Sequence, residues 1–131
     1  MMTNEAIAKQ LKSVYQTKET CAPIADVMET KTIQTAYDIQ EINTKKWIVE
    51  GRKVVGCKIG LTSPAVQKQL GVDQPDFGIL YNDMIYLDGQ EIDTSTLLQP
   101  KVEAEIAIVL KSDLSKEKHT IEDLSLIHIS E

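Results

Sequence analysis

Three short stretches hold residues whose types and spacing could do chemistry. Glu103 and Glu105 lie two residues apart in Gln-Pro-Lys-Val-Glu-Ala-Glu-Ile-Ala-Ile-Val-Leu, residues 99–110. This run reads as one buried β-strand. Successive side chains of a strand alternate faces, so both glutamates point one way, with Ala107 and Val109 after them. Val102, Ala104, Ile106, Ile108 and Leu110 point the other way. Buried carboxylates need a counter-charge. A hard divalent cation supplies one, since Mg²⁺ takes oxygen ligands and is held by one or two carboxylates plus water and substrate. The plainer reading is an edge strand with both glutamates in water.

Lys58 sits between Gly56 and Gly60 at two-residue spacing, so all three share one strand face. Glycines there open room beside the lysine for a ligand. Such a lysine can carry a proton or grip a carboxylate; it can equally extend its head into water. Asp76 stands in Gln74-Pro75-Asp76-Phe77-Gly78, a turn-rich loop. It is either a turn residue or a carboxylate at the rim of a site.

These residues need elements to hold them. Residues 3–16 read as a helix capped by Thr3 or Asn4, with Ile7, Leu11, Val14 and Tyr15 on one face. Residues 17–24 form a linker, in which Pro23 disfavours helix at Ala22. A second helix is expected over residues 32–50. Ile33, Ala36, Tyr37, Gln40, Thr44, Trp47 and Ile48 make its stripe, widened by Ile39 and Ile42, and Gly51 is its C′ residue. Gln40 lies in that stripe as a packing residue or a polar contact to a ligand. Residues 53–61 read as a strand. Residues 65–70 read as a short helix, with Pro64 in its first turn and Gly71 closing it. Residues 79–81 and 84–87 read as strands separated by Asn82-Asp83, and Asp88-Gly89 as a hairpin turn.

The whole chain is 131 residues, 42% apolar and 26% charged, enough for one core and too apolar for disorder. Its formal charge of −6 argues against a nucleic-acid surface. No apolar run approaches the roughly 20 residues of a membrane span. The N-terminus has no basic segment followed by an apolar one, so no signal peptide is expected. Cys21 and Cys57 show no pairing pattern and read as reduced thiols of a cytoplasmic protein.

Three blocks together are more specific than any one. They are Gly56-Cys57-Lys58-Ile59-Gly60-Leu61-Thr62-Ser63, then residues 66–78 ending in Gln74-Pro75-Asp76-Phe77-Gly78, then residues 99–107 with Glu103-Ala104-Glu105. In this order and spacing the chain resembles the 2-oxopent-4-enoate (2-hydroxypenta-2,4-dienoate) hydratases of the fumarylacetoacetate hydrolase superfamily, from the N-terminal helix to about Leu124. The resemblance implies an α+β fold, with N-terminal helices (residues 1–51) leading into the first part of a mixed β-roll (residues 52–124). It implies Mg²⁺ or Mn²⁺ held by Glu103 and Glu105 with a third acidic residue further on. It implies Lys58 as the active-site lysine, Asp76 as its partner, and Gly60, Leu61, Thr62, Ser63 and Gln40 beside the substrate. The implied reaction converts 2-hydroxypenta-2,4-dienoate to 4-hydroxy-2-oxopentanoate in aromatic-compound catabolism. A homo-oligomer is implied, and a complex with the pathway decarboxylase is compatible with the family.

The same metal site serves the sister 2-oxo-3-hexenedioate (4-oxalocrotonate) decarboxylases. Residues 66–78 and the alanine between the glutamates look more like the hydratase branch. After Leu124 the sequence departs from the family: residues 125–131, with His128 and Glu131, resemble translated non-coding sequence joined to a truncated gene. Glu122, Asp123, His119 and Glu131 are not expected to replace the third ligand. A non-catalytic fragment or assembly module is therefore the third reading.

Overall fold

The computed structural model describes residues 1–115 and 117–122. The expectations for Asp123, His128, Glu131 and residues 125–131 lie outside the described residues. The chain forms two compact units, Met1–Pro100 and Lys101–Glu131. The first holds helix α1 (Asn4–Thr17), helix α2 (Ile33–Val49), strand β1 (Val54–Gly60), helix α3 (Pro64–Leu70) and strand β2 (Asp76–Tyr81). Single 3₁₀ turns lie at Ile24–Asp26, Asn82–Met84 and Thr94–Thr96. The fold is α+β, as expected, with helices preceding a two-stranded antiparallel sheet.

Local chemistry sets the helix ends. Thr3 caps α1 by accepting from the Ala6 N–H, and Thr32 caps α2 by accepting from the Thr35 N–H. Lys18 closes α1 in the left-handed region, its N–H bonded to the Val14 carbonyl at 2.9 Å. Past α2, Gly51 takes φ 101°, a conformation that a side chain would oppose. Pro64 opens α3, where its missing N–H costs nothing, and Gly71 ends it at φ 71°.

The core is small and lies between α1 and α2. Ile7, Ala8, Met28 and Ile39 are buried, with Met2, Leu11, Ile24, Val27 and Ile42 against them. Burying an Ile side chain contributes about 1.5–3 kcal/mol, so Ile7 and Ile39 are the main apolar anchors. A parallel bridge between Met2 and Met28 ties the segment between α1 and α2 to the N-terminus. Asn43 is also buried, and its Nδ2 donates to the Ala8 carbonyl at 2.8 Å. One side chain thereby joins the two helices through a backbone group.

Helix α2 uses two faces rather than the single stripe expected. Ile39, Ile42 and Asn43 turn to α1. Tyr37, Gln40, Thr44 and Trp47 serve the sheet. Ile33 and Ile48 are about half exposed, so neither anchors a core. Trp47 lies edge-on to both Tyr15 and Tyr81, with ring centroids 5.2 and 5.6 Å away. Arg52 stacks 4.1 Å from the Tyr81 centroid and donates from Nε and Nη2 to Asp83 Oδ1.

Two expected strands are absent. Residues 84–87 form no strand: Met84 ends a 3₁₀ turn, and Ile85, Tyr86 and Leu87 are exposed. Residues 101–109 have no regular secondary structure, and all are exposed, Ile106 at 92% and Val109 at 76%. The expectation that residues 99–110 form a buried strand is corrected accordingly. A strand exists only with a hydrogen-bonded neighbour; among the described residues of this segment Leu110 takes part in a single bridge and residues 101–109 in no ladder. The apolar pattern records what the segment is suited to bury. It does not supply the partner that would bury it.

Candidate functional site

The β1–β2 register builds the site from the first unit. Lys58 pairs with Gly78, Gly60 with Asp76 and Gly56 with Leu80. Directly opposed residues of an antiparallel pair share a face. Lys58 and Asp76 therefore stand on one face as diagonal neighbours, a separation of about 7–8 Å that a lysine side chain can span. Across from each stands a glycine, so no side chain fills the floor between them. The room that glycines were expected to clear beside Lys58 is open at Gly78 on the partner strand, where a Cβ would meet nothing within 4 Å, whereas at Gly60 it is taken by Asp76.

Gly60 carries more than spare room. A Cβ placed there would collide with Asp76 Oδ1 and lie 3.2 Å from its Cγ. The Asp76 carboxylate thus occupies the space that any side chain at position 60 would need. Asp76 is also not a loop residue: it is the first residue of β2, so its backbone is set by pairing. Along β2, Asp76, Gly78 and Leu80 alternate with Phe77, Ile79 and Tyr81. Tyr81 is buried and bonds Thr44 of α2 at 3.1 Å, so the Asp76 face turns to the opposite side.

Leu61, Thr62 and Ser63 link β1 to α3. Leu61 takes φ 55°, the left-handed region, which is unusual for a bulky non-glycine residue. The Gln67 side chain donates to the Leu61 carbonyl at 2.6 Å, and the Gln67 N–H bonds the Ser63 carbonyl at 2.9 Å. Such a conformation costs about 1–3 kcal/mol and persists where its surroundings enforce it. Here Gln67 is the enforcing side chain, and the strained turn directly follows Gly60.

Gln40 is exposed, and its Nε2 donates to the Phe77 carbonyl at 3.2 Å. Tyr37, one turn earlier, accepts from the Phe77 N–H at 3.0 Å. Sequence reading placed Tyr37 in a generic stripe. Its i, i+3 relation to Gln40 was the signal that the two act on one target.

Glu103 and Glu105 belong to the second unit, where both are exposed. They offer two oxygen donors at strand-like spacing, the donor type that Mg²⁺ prefers. Among the described residues no group of three or more His, Cys, Asp or Glu side chains could hold a metal ion. His119 lies outside any helix or strand, with both ring nitrogens buried and unbonded. Among the described residues no helix is long and apolar enough to cross a membrane.

Comparison with known proteins bears out the resemblance drawn from the motifs. The chain is 50% identical over 124 residues to 2-keto-4-pentenoate hydratase 1 of Dechloromonas aromatica, which covers 95% of this chain and 47% of the relative. It is 52% identical over 119 residues to a 2-keto-4-pentenoate hydratase of Burkholderia vietnamiensis, covering 91% and 45%. The chain thus spans about half the length of the curated relatives it matches. The fold is similar, at a TM-score of 0.86 and 30% identity, to 4-oxalocrotonate decarboxylase from Pseudomonas putida G7 complexed with magnesium and adipate. That match covers 98% of this chain and 50% of the other. No protein-family model matches the chain.

Proposed function

We propose that this chain, a relative of the 2-keto-4-pentenoate hydratases, provides the acid/base face and two metal ligands for hydration of 2-hydroxypenta-2,4-dienoate. The product is 4-hydroxy-2-oxopentanoate, a step of aromatic-compound catabolism. The observation that carries this reading is the glycine-cleared face shared by Lys58 and Asp76 in a chain half identical to named hydratases.

The chemistry asks for groups of this kind. The dienol hydroxyl loses its proton, and the terminal carbon C5 gains one, which gives the conjugated 2-oxo acid. Water then adds its oxygen at C4 and a proton at C3. Lys58 holds the substrate's 2-oxygen or carries the proton between that oxygen and carbon. Asp76 orients the lysine or the attacking water. The 60–63 turn contributes backbone N–H groups beside the substrate, and its strained Leu61 conformation favours a fixed shape. Glu103 and Glu105 would hold Mg²⁺, which supplies positive charge to the substrate's carboxylate and 2-oxygen. We place the chain in the first part of a mixed β-roll, acting in a soluble cytoplasmic homo-oligomer.

The decarboxylase reading rests on the structural likeness to 4-oxalocrotonate decarboxylase. Identity near 50% to hydratases against 30% to that enzyme favours hydration. Incubation with each substrate in Mg²⁺ decides between them. Appearance of 4-hydroxy-2-oxopentanoate supports hydration. Release of CO₂ from 2-oxo-3-hexenedioate supports the alternative. Consumption of neither substrate, under conditions in which the chain is folded, supports a non-catalytic module.

A further inference from the structure

We infer that Tyr37 and Gln40 are positioning residues that fix the Asp76 carboxylate over Gly60 by clamping the backbone of Phe77; the inference rests on the role given to Asp76 above. The Tyr37 hydroxyl accepts from the Phe77 N–H at 3.0 Å, and Gln40 donates to the Phe77 carbonyl at 3.2 Å. The N–H and C=O of one strand residue point to the same edge. Both bonds therefore fall on the edge of β2 away from β1, and Phe77 and Ile59 form a pair that does not bond directly. The clamped N–H belongs to the peptide joining Asp76 to Phe77, its nitrogen two bonds from the Asp76 Cα.

That edge needs a partner. Among the described residues β2 has one strand neighbour, β1, so its outer edge would otherwise leave Phe77 unpaired on that side. Tyr37 and Gln40 stand at i, i+3 on α2, a spacing that brings two side chains to the same patch. Their helix is anchored in turn by Asn43 on α1 and by Thr44 and Trp47 on Tyr81. The path runs from the helical core through two side chains to the first two residues of β2. Asp76 starts the strand, where pairing on one side alone would leave it free to fray. With the clamp, Phe77 is held from both sides, and the Asp76 carboxylate keeps its place over the bare Cα of Gly60.

Two measurements on the unaltered chain, Tyr37→Phe and Gln40→Met test this. Both replacements keep side-chain volume and remove one hydrogen-bonding group. The first measurement needs no turnover: amide exchange at Phe77 and the carboxyl carbon resonance of Asp76. Exchange at the Phe77 amide is expected to quicken by roughly three- to tenfold in Tyr37→Phe, which removes its acceptor, the usual worth of one such bond, and the Asp76 resonance to move in both variants. An Asp76 resonance unmoved in both overturns the inference. The second measurement is turnover of 2-hydroxypenta-2,4-dienoate. For Tyr37→Phe, kcat is expected to fall at least about fivefold with KM kept, within the range that mispositioning produces. The fall should vanish when Asp76 is already Asn. A fall that persists in the Asp76→Asn background shows a general structural role and overturns the positioning. If the unaltered chain turns nothing over, the hydratase reading fails, and the first measurement alone decides the clamp.

Discussion

Replacing Gly60 with alanine isolates the function of the β1–β2 face from its stability. Gly60 is not among the glycines at positive φ, so alanine meets no backbone penalty there. Gly60 is the last residue of β1, so removing the glycine would by itself stabilise the fold by at most about 0.5–1 kcal/mol. Against this, the new Cβ collides with Asp76 Oδ1 and crowds its Cγ at 3.2 Å. The obstructing atoms are the far end of a short, exposed side chain, so the carboxylate yields and the backbone stays. Turning it off its preferred rotamer costs about 0.5–1.5 kcal/mol. The two terms nearly cancel, and the midpoint of urea unfolding should remain within the equivalent of about 1 kcal/mol. Function should not survive as well, because displacing a positioned group by about 1 Å costs on the order of 100-fold in rate. The assay follows loss of the dienoate chromophore alongside the urea melt. Undiminished turnover in Gly60→Ala would refute the claim that Asp76 acts from its place over Gly60. A loss of stability beyond about 3 kcal/mol would refute the claim that the carboxylate is the group that moves.

Other consequences follow from single contacts. Asn43→Ala removes the buried bond to the Ala8 carbonyl and should destabilise by about 1–3 kcal/mol in chemical denaturation; a change below about 0.3 kcal/mol would show that the helices do not rely on it. Arg52→Met should cost about 1 kcal/mol through lost stacking on Tyr81 and Trp47, since the pair with half-exposed Asp83 contributes little. Asp83→Asn should then be nearly silent in the same melt. Asp93 accepts from Ser95, by its side chain first and its backbone second, which holds the carboxyl below its ordinary range. The support it lends the 94–96 turn is present above the unfolded-state pKa and is lost as pH falls through the lowered folded value. Carbon resonances of Asp93 followed through an acid titration should show that lowered midpoint, and Ser95→Ala should return it toward normal.

What the sequence made legible was governed by local physics. Thr3, Pro64, Gly51 and Gly71 act within one turn of where they stand, and all four do in the fold what their chemistry predicts. Lys58 between two glycines was legible for the same reason, since strand alternation is a local rule. The opposing Gly78 was not, because register is a property of two strands, and Asp76-Phe77-Gly78 carries a loop's composition. The division of α2 into two faces was equally hidden: periodicity reports that Tyr37, Gln40 and Ile39 belong to one helix and cannot say which neighbour each will meet. Residues 84–87 and 99–110 failed in the opposite sense. Their apolar, β-branched content is suited to strands, but a ladder requires a second edge. Glu103 and Glu105 were visible as a pair, while the fate of the segment bearing them depends on contacts that its own composition does not encode.

Turnover of 2-hydroxypenta-2,4-dienoate in Mg²⁺, measured on the unaltered chain beside Lys58→Ala, tests the central claim most directly. The account predicts consumption that stops on chelation and falls about 10²–10⁴-fold in Lys58→Ala, the range expected when a proton carrier is removed, with the unfolding midpoint unchanged. Turnover that persists in chelator, or that Lys58→Ala leaves intact, would contradict it.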